Sequence, residues 1–494
     1  MRRTMPIFYS ALMLTGVNLL LRFVSTSFQV FLSGRIGAAG IGLLQLVLSV
    51  GSLAMTAGIA GIRTATMYLT AEELGKRRPE NVTWIISRCV LYSLLFSGSI
   101  GTGLLLLAPW LSEHWIGDLR AMDAVQLFAC FLPICCLTGV MVGYFTAANR
   151  IKTLAAVEVA EQALSMAVTI GALYFWAGDD PQKACMAVVV GSGVGACLTL
   201  VCLICFRCRD STPAYKRFPV ARRLKQTALP LALADDLKAG ITTAENLMVP
   251  KRLALFQGVT DPLALFGTVC GMVFPVLMFP ACILFGLTEL LIPELARCNA
   301  AGSNVRIRYL ARRSLRLAML YGTICAGVLY LCSEFLCVRL YNNHEAGVYL
   351  RWFAPLTIML YCDIVTDAMI KGLGQQKFSV RYNIITSIMD LSFLYFLLPR
   401  CGILGYYVSF SITHAVNFIL SLRRLLKITG QRIPLNVPVL TLSAGTASVL
   451  IAQHLDNPFL MSAAFLLVLF SLLTIFGVLK KEEFHWIKGL LRYQ

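Results

Sequence analysis

Apolar runs of about 20 residues recur along this chain from one end to the other, and each is long enough to cross a hydrocarbon core as a helix. In lipid a helix satisfies every backbone N–H and C=O within the segment itself. A chain built this way is an all-α polytopic membrane protein. The composition agrees: 58% of the 494 residues are hydrophobic and 14% are charged, against about 25% charged in an ordinary soluble domain. The longest polar stretch, Arg207 to Gln226, leaves no room for a soluble catalytic domain.

Fourteen transmembrane helices are predicted, at 7–31, 41–70, 84–109, 122–148, 153–177, 184–206, 228–249, 264–292, 314–338, 352–373, 379–398, 402–422, 436–454 and 459–479. The first exceeds a signal-peptide core and is read as a retained helix. With the N-terminus inside, the inside loops collect the cations, among them Lys76, Arg77 and Arg78, then Arg306, Arg308, Arg312 and Arg313. The outside loops are poor in cations or mix them with acids, as with Arg120 among Glu113, Asp118 and Asp123. This alternation is what cytoplasmic enrichment of Lys and Arg produces, and it places both termini in the cytoplasm. The net charge of +18 therefore reports topology rather than nucleic-acid binding. Most of the 17 cysteines sit in apolar runs as small apolar residues. Cys205-x-x-Cys208 lacks the second ligand pair of a structural zinc site.

A weak internal repeat has an offset of roughly 225 residues. It carries GYFTAANRIKTLAAVEVAEQ (from Gly143) onto KGLGQQKFSVRYNIITSIMD (from Lys371). The predicted organisation is a six-helix lobe at 1–206, a basic cytoplasmic linker at 207–227, a second six-helix lobe at 228–427, two additional helices at 428–479 and an amphipathic cytoplasmic tail at 480–494. Six is even, so the lobes share one orientation and are related by a pseudo-two-fold along the membrane normal. The tail, with Phe484 and Trp486 among Lys481, Lys488 and Arg492, is expected on the membrane surface.

No Walker A, GxSxG, HExxH or Gly-rich nucleotide loop is present, which argues against an enzyme and against an ATP-driven pump. Charges at membrane depth remain. Each costs about 3 kcal/mol on insertion scales, and such groups usually face a bundle interior or a watery path. Arg22 is the deepest; its guanidinium fork suits phosphate oxygens, or it pairs with an acid such as Glu161. Arg63 either contacts a ligand or reaches to headgroups. Gln45 is a candidate contact, or an interhelical hydrogen bond. The seventh span is the most polar, with Asp235, Asp236, Lys238, Glu245 and Asn246 between Pro230 and Pro250. Asp235 and Lys238, three apart, share a face. These acids, with Asp390, are candidates for coupling to Na⁺ or H⁺, and Lys238 for the anion site; local ion pairing is the alternative. Pro275 and Pro280 are expected to kink the eighth span. Asp363, Asp367, His414 and Asn417 form either a proton relay or interhelical hydrogen bonds.

FLSGRIGAAGIGLLQL after the buried arginine resembles the opening of the stage V sporulation protein B family. So do GYFTAANRIKTLAAVEVAEQ, AENLMVPKRL, LIPELA and KGLGQQK, in that order. That family lies in the multidrug/oligosaccharidyl-lipid/polysaccharide exporter superfamily, with the lipid II flippase as a relative. The resemblance implies a two-lobe α-helical transporter working by alternating access, with a lipid-linked diphosphate held in a cationic cavity to which Arg22 contributes. It places Glu161-Gln162 where the family has a similar pair.

The expected function is a flippase or exporter of undecaprenyl-diphosphate-linked saccharides, a peptidoglycan precursor or related polysaccharide unit, in the bacterial cytoplasmic membrane. The resemblance adds a role in sporulation or envelope synthesis. Arg22, Arg63, Lys238, Gln45 and Glu161 are the expected substrate contacts; Asp235, Asp236, Glu245 and Asp390 are the expected coupling groups. No cofactor, metal or nucleic acid is expected beyond a coupling Na⁺ or H⁺. The alternatives are a multidrug organic-cation antiporter and a non-transporting scaffold for envelope enzymes.

Overall fold

The computed structural model describes residues 5–59, 61–76, 78, 80–148, 150–178, 180–209, 220–431 and 436–478. Arg2, Arg3, Arg77, Arg432, residues 210–219 of the basic linker and the tail at 480–494 lie outside the described residues. The described chain is helical, with no strand. In order it forms α1 (Met5–Ile59), α2 (Ile62–Gly75), α3 (Glu80–Trp110), α4 (Met122–Ala147), α5 (Ile151–Ala172), α6 (Pro181–Arg209) and α7 (Val220–Leu253). Then come α8 (Pro262–Phe266), α9 (Phe274–Met278), α10 (Ala281–Ala300), α11 (Asn304–Leu331), α12 (Ser333–Tyr341), α13 (His344–Phe353) and α14 (Thr357–Gly372). The last four are α15 (Gln376–Cys401), α16 (Ile403–Thr429), α17 (Asn436–Ala452) and α18 (Pro458–Ile475).

Among the described residues ten helices are long and apolar enough to cross a membrane, or eleven if Pro262–Met278 and Ala281–Ala300 form one bent span. Three features separate this number from the fourteen predicted spans. The first two spans run together through α1, interrupted only where Gly37 leaves helical geometry (φ 78°, ψ 176°), a backbone conformation that disfavours any side chain. The seventh span, α7, carries Asp235, Asp236, Lys238 and Glu245 in its middle, too many charges for a simple apolar span. The thirteenth, α17, is apolar but short.

Helix starts follow from local chemistry. Asp261 accepts hydrogen bonds from the N–H groups of Leu263 and Ala264 at the start of α8, Asn343 from Ala346 at α13, and Asn457 from Phe459 at α18. Pro262 and Pro458 occupy the first turns that follow two of these caps, where a missing N–H is harmless.

The chain forms two compact units: Met1–Gly271 with Leu391–Gly405, and Met272–Asp390 with Tyr406–Gln494. In the first unit a core built on Ile62, Leu69, Ile85, Phe145 and Leu203 packs α2, α3, α4 and α6 together. In the second, Leu331, Ala444, Phe465, Leu469 and Leu473 join α11 to α17 and α18. The second unit also contains a proline break. Pro280 has no N–H to donate and separates α9 from α10. Tyr361 donates its hydroxyl to the Leu277 carbonyl at 2.8 Å, and Tyr321 donates to the Pro280 carbonyl at 2.8 Å. The Tyr361 hydroxyl thus supplies a donor to a backbone carbonyl beside the break, as apolar surroundings require, while the Pro280 carbonyl accepts from the Ile283 N–H as well, at 3.3 Å.

Candidate substrate and ion sites

The polar residues of α7 have a defined use. Thr243, buried, donates its hydroxyl to the Ser49 carbonyl of α1 at 3.0 Å, and Asn246 donates its amide to the Ser49 hydroxyl at 2.9 Å. Ser49 in turn donates to the Gln45 carbonyl at 2.7 Å. Gln45 thus enters this network through its backbone. Interhelical hydrogen bonds of this kind stabilise membrane packing by about 0.6 kcal/mol each. Together they pin the second half of α1 to α7.

Beside this contact α1 and α7 border a cleft of about 430 Å³ lined by Ser52, Thr56, Gly61, Asp235, Lys238 and Thr242. Asp235 and Lys238, which share a helix face in the sequence, do share this cleft; both are exposed to it, and no ion pair joins them among the described residues. Gly61 adds a third element. It adopts a left-handed conformation (φ 70°) and starts α2 without a side-chain cap. The first N–H groups of α2 and its positive dipole end therefore lie at the cleft rim, an arrangement suited to an anion. Half-helix N-termini within membrane bundles serve anionic groups of transported substrates in the same way.

The other predicted contacts are distributed differently. Arg63 is exposed in the first turn of α2, two residues past Gly61, and interacts electrostatically with Glu158 of α5. Arg22 is exposed on α1 and is not among the lining residues of this cleft. Glu161 of α5 accepts a hydrogen bond from the Thr199 hydroxyl of α6 at 2.7 Å, which directs it into helix packing. Asp236 and Glu245 are half-buried on α7. A second cleft of about 590 Å³ lies farther along α7, with Trp115, Lys251, Arg252 and Tyr395 in its wall. Its cations are engaged: Lys251 donates to the His114 carbonyl, and the Arg252 guanidinium lies 3.4 Å from the Tyr395 ring centroid.

Asp390, the predicted coupling acid of the second unit, accepts from the hydroxyls of Ser409 at 2.6 Å and Thr413 at 3.3 Å, both on α16. A carboxylate beside two hydroxyl oxygens is the donor set that hard cations use, and it is equally able to take a proton.

Sequence reading missed the partners. Ser49, Ser52 and Thr56 fall three and four apart on one face of α1, as Ser409 and Thr413 do on α16. Hydroxyls repeating at helical spacing inside apolar runs were the available signal.

Residues 261–396 match the MatE family. The chain is 22% identical over 407 residues to stage V sporulation protein B of Bacillus subtilis (strain 168), covering 80% of this chain and 78% of that protein. The fold is similar to an inward-facing multidrug resistance MATE family transporter of the MOP superfamily, with a TM-score of 0.69 and 13% identity over 85% of this chain and 100% of that one. It is equally similar to lipid II flippase MurJ in its inward closed conformation, with a TM-score of 0.69 and 11% identity over 94% of this chain and 98% of that one. A MOP superfamily transporter from Pyrococcus furiosus, whose binding pocket has reversed polarity, matches with a TM-score of 0.61 and 14% identity over 85% and 96% of the two chains. The chain thus has the fold of these transporters, and its sequence is similar to that of stage V sporulation protein B.

Proposed function

We propose that this chain is a flippase that moves undecaprenyl-diphosphate-linked saccharides across the bacterial cytoplasmic membrane, and that it carries no catalytic activity of its own. The observation that carries the reading is the α1–α7 cleft, where the Lys238 ammonium and the uncapped N-terminus of α2 converge. A diphosphate has the charge and the acceptor oxygens to use both. Arg63, next to that helix start, and Arg22, farther along α1, supply further cations on a route to the cleft. Likeness to the lipid II flippase and to stage V sporulation protein B supports the substrate class. Asp390 is the coupling group, taking Na⁺ or H⁺ between its two hydroxyl partners. Both termini lie in the cytoplasm in this reading, with the loops carrying Lys76 and Arg306 on the same side.

The test is transport of a fluorescent lipid-linked saccharide in proteoliposomes of the full-length protein. Lys238→Ala and Arg22→Ala, inserted and folded as wild type, are expected to lower the rate at least tenfold, the loss of about one charge-assisted contact of 1.5–3 kcal/mol. Near-normal rates in both variants would overturn the anion site. A second reading, an organic-cation antiporter, is favoured by Asp235 in the same cleft and by the fold shared with MATE transporters. It requires that Asp235→Asn, and not Lys238→Ala, abolish transport, with a cationic dye as the cargo.

A further inference from the structure

A chain of buried polar groups runs through the second unit and is not accounted for by substrate binding. Along α16, Ser409, Thr413, Asn417 and Ser421 repeat every four residues, so they stack on one helix face. All four are buried, Asn417 with only 8% of its surface exposed. Three members of this stripe meet acids of neighbouring helices. Ser409 and Thr413 hold Asp390 of α15. One turn on, the Asn417 amide donates to Oδ2 of Asp363 on α14 at 2.9 Å. One turn farther along α14, Asp367 meets Lys371 at 2.6 Å and accepts from the Ser379 hydroxyl. Lys371 and Asp367 are partly exposed, so the series ends at water. The loop charges place that end at the cytoplasmic face.

The middle of the series has an imbalance. Oδ1 of Asp363 and Oδ1 of Asn417 are both buried, and neither has a hydrogen-bond partner among the described residues. Two buried acceptors with no donor leave their lone pairs unsatisfied. A single added proton on Asp363 supplies a donor. The charged groups that interact with Asp363 are Asp367 and Lys371. Of the neighbouring helices, α16 contributes His414, whose ring lies 4.2 Å from that of Phe410. On α10, Glu294 is paired with Arg306 and Glu289 is exposed; on α11 lie Arg316 and Tyr321, the latter bonded to Pro280.

We propose that this seam is a proton path from the cytoplasmic side to Asp390, with Asp363 as the intermediate station. The inference rests on the reading of Asp390 as the coupling acid. In each step one O–H bond breaks and one forms. A proton from water beside Asp367 passes to the Asp363 carboxylate, giving the neutral acid, and from there to the Asp390 carboxylate. The gaps from Asp367 to Asp363, and from Asn417 to Thr413, are single helical turns of about 5.4 Å, a span that one water can bridge.

The experiment is pH-difference infrared spectroscopy of the full-length protein in nanodiscs, in potassium buffer with and without sodium chloride, following the carboxylic C=O stretch and its hydrogen–deuterium exchange. Two titrating carboxyl bands are expected. Asp390→Asn removes one. Asp363→Asn removes the other and slows exchange at Asp390 by about a hundredfold, the lower end of what a positioned proton-transfer group contributes. Asp363→Glu keeps the fast exchange. An unchanged exchange rate at Asp390 in Asp363→Asn overturns the path while leaving Asp390 as a coupling acid. Loss of both bands on adding sodium at constant pH overturns it in favour of a metal cation. No band lost in Asp390→Asn overturns the coupling reading itself.

Discussion

The two units place charge in apolar surroundings in opposite ways. In the first, Lys238 and Asp235 stand exposed in a cleft beside an uncapped helix start, with no ion pair between them among the described residues. In the second, Asp390 is held between two hydroxyls and Asp363 against an amide. An open site keeps its charges hydrated until cargo displaces the water. A closed one must hold its charges with its own side chains, because an unpaired buried charge costs several kcal/mol; it does so at Asp390 and only in part at Asp363. The contrast separates a region fitted to a large anion from one fitted to a small ion.

Changing a charge in the first unit should therefore act on transport alone, whereas in the second the loss of a buried acceptor should also cost stability. The largest effect is expected from Lys238→Glu, which sets a repulsive carboxylate beside the α2 N-terminus and should abolish saccharide transport while leaving the melting temperature close to wild type. A melting temperature that falls as far as transport would erase the contrast. Next, Asp390→Ala leaves the Ser409 hydroxyl without its carboxylate acceptor, while Thr413 keeps the Ser409 carbonyl at 2.9 Å, and should destabilise by about 1–3 kcal/mol, read as a lower denaturation midpoint. Asp390→Asn, which keeps an acceptor, should retain most stability and lose ion-coupled transport. Tyr361→Phe frees the Leu277 carbonyl at the proline break and should cost about 1 kcal/mol. Ser49→Ala removes one interhelical bond and should cost about 0.6 kcal/mol; a loss above that of Tyr361→Phe would show that the α1–α7 contact is the more rigid of the two.

The smallest effect concerns an ion pair in the loop before α4. Burial tends to raise the Asp118 carboxyl, but the hydrogen bonds and charge of Arg120, at 2.6 Å, outweigh it and hold Asp118 below the ordinary carboxylate range. A group lowered by folding contributes stability above its unfolded value and loses it as pH falls through the folded one. The loop should therefore loosen only under acid conditions, seen as faster proteolysis at Arg120, and Asp118→Asn should remove that pH dependence.

What sequence could reveal follows the same division. Burying some twenty apolar residues in lipid overrides local detail, so the all-helical membrane fold was legible. The crowding of Asp235, Lys238 and Asn246 marked α7 as special, and Pro280 marked a break. The start of α2 at Gly61 was not legible, because Gly61-Ile62-Arg63 continues the hydropathy of its neighbours and only the positive φ reveals the turn. Nor was the choice of Ser49 as the anchor for Asn246, since a partner 197 residues away is fixed by how helices pack. Glu161 shows the limit from the other side: an acid that reads as a cavity group is bonded to Thr199 in the packing of α5 on α6.

The single non-helical residue of α1 also has a practical consequence. Because the chain turns from the first predicted span to the second at Gly37 alone, there is no loop to cut, tag or label between them. An epitope inserted there would split two helical stretches joined by one residue and shift the phase of everything from Gly40 to Ile59 relative to α7. Sidedness should instead be mapped at the Gly117–Leu119 turn, where added residues leave that phase intact.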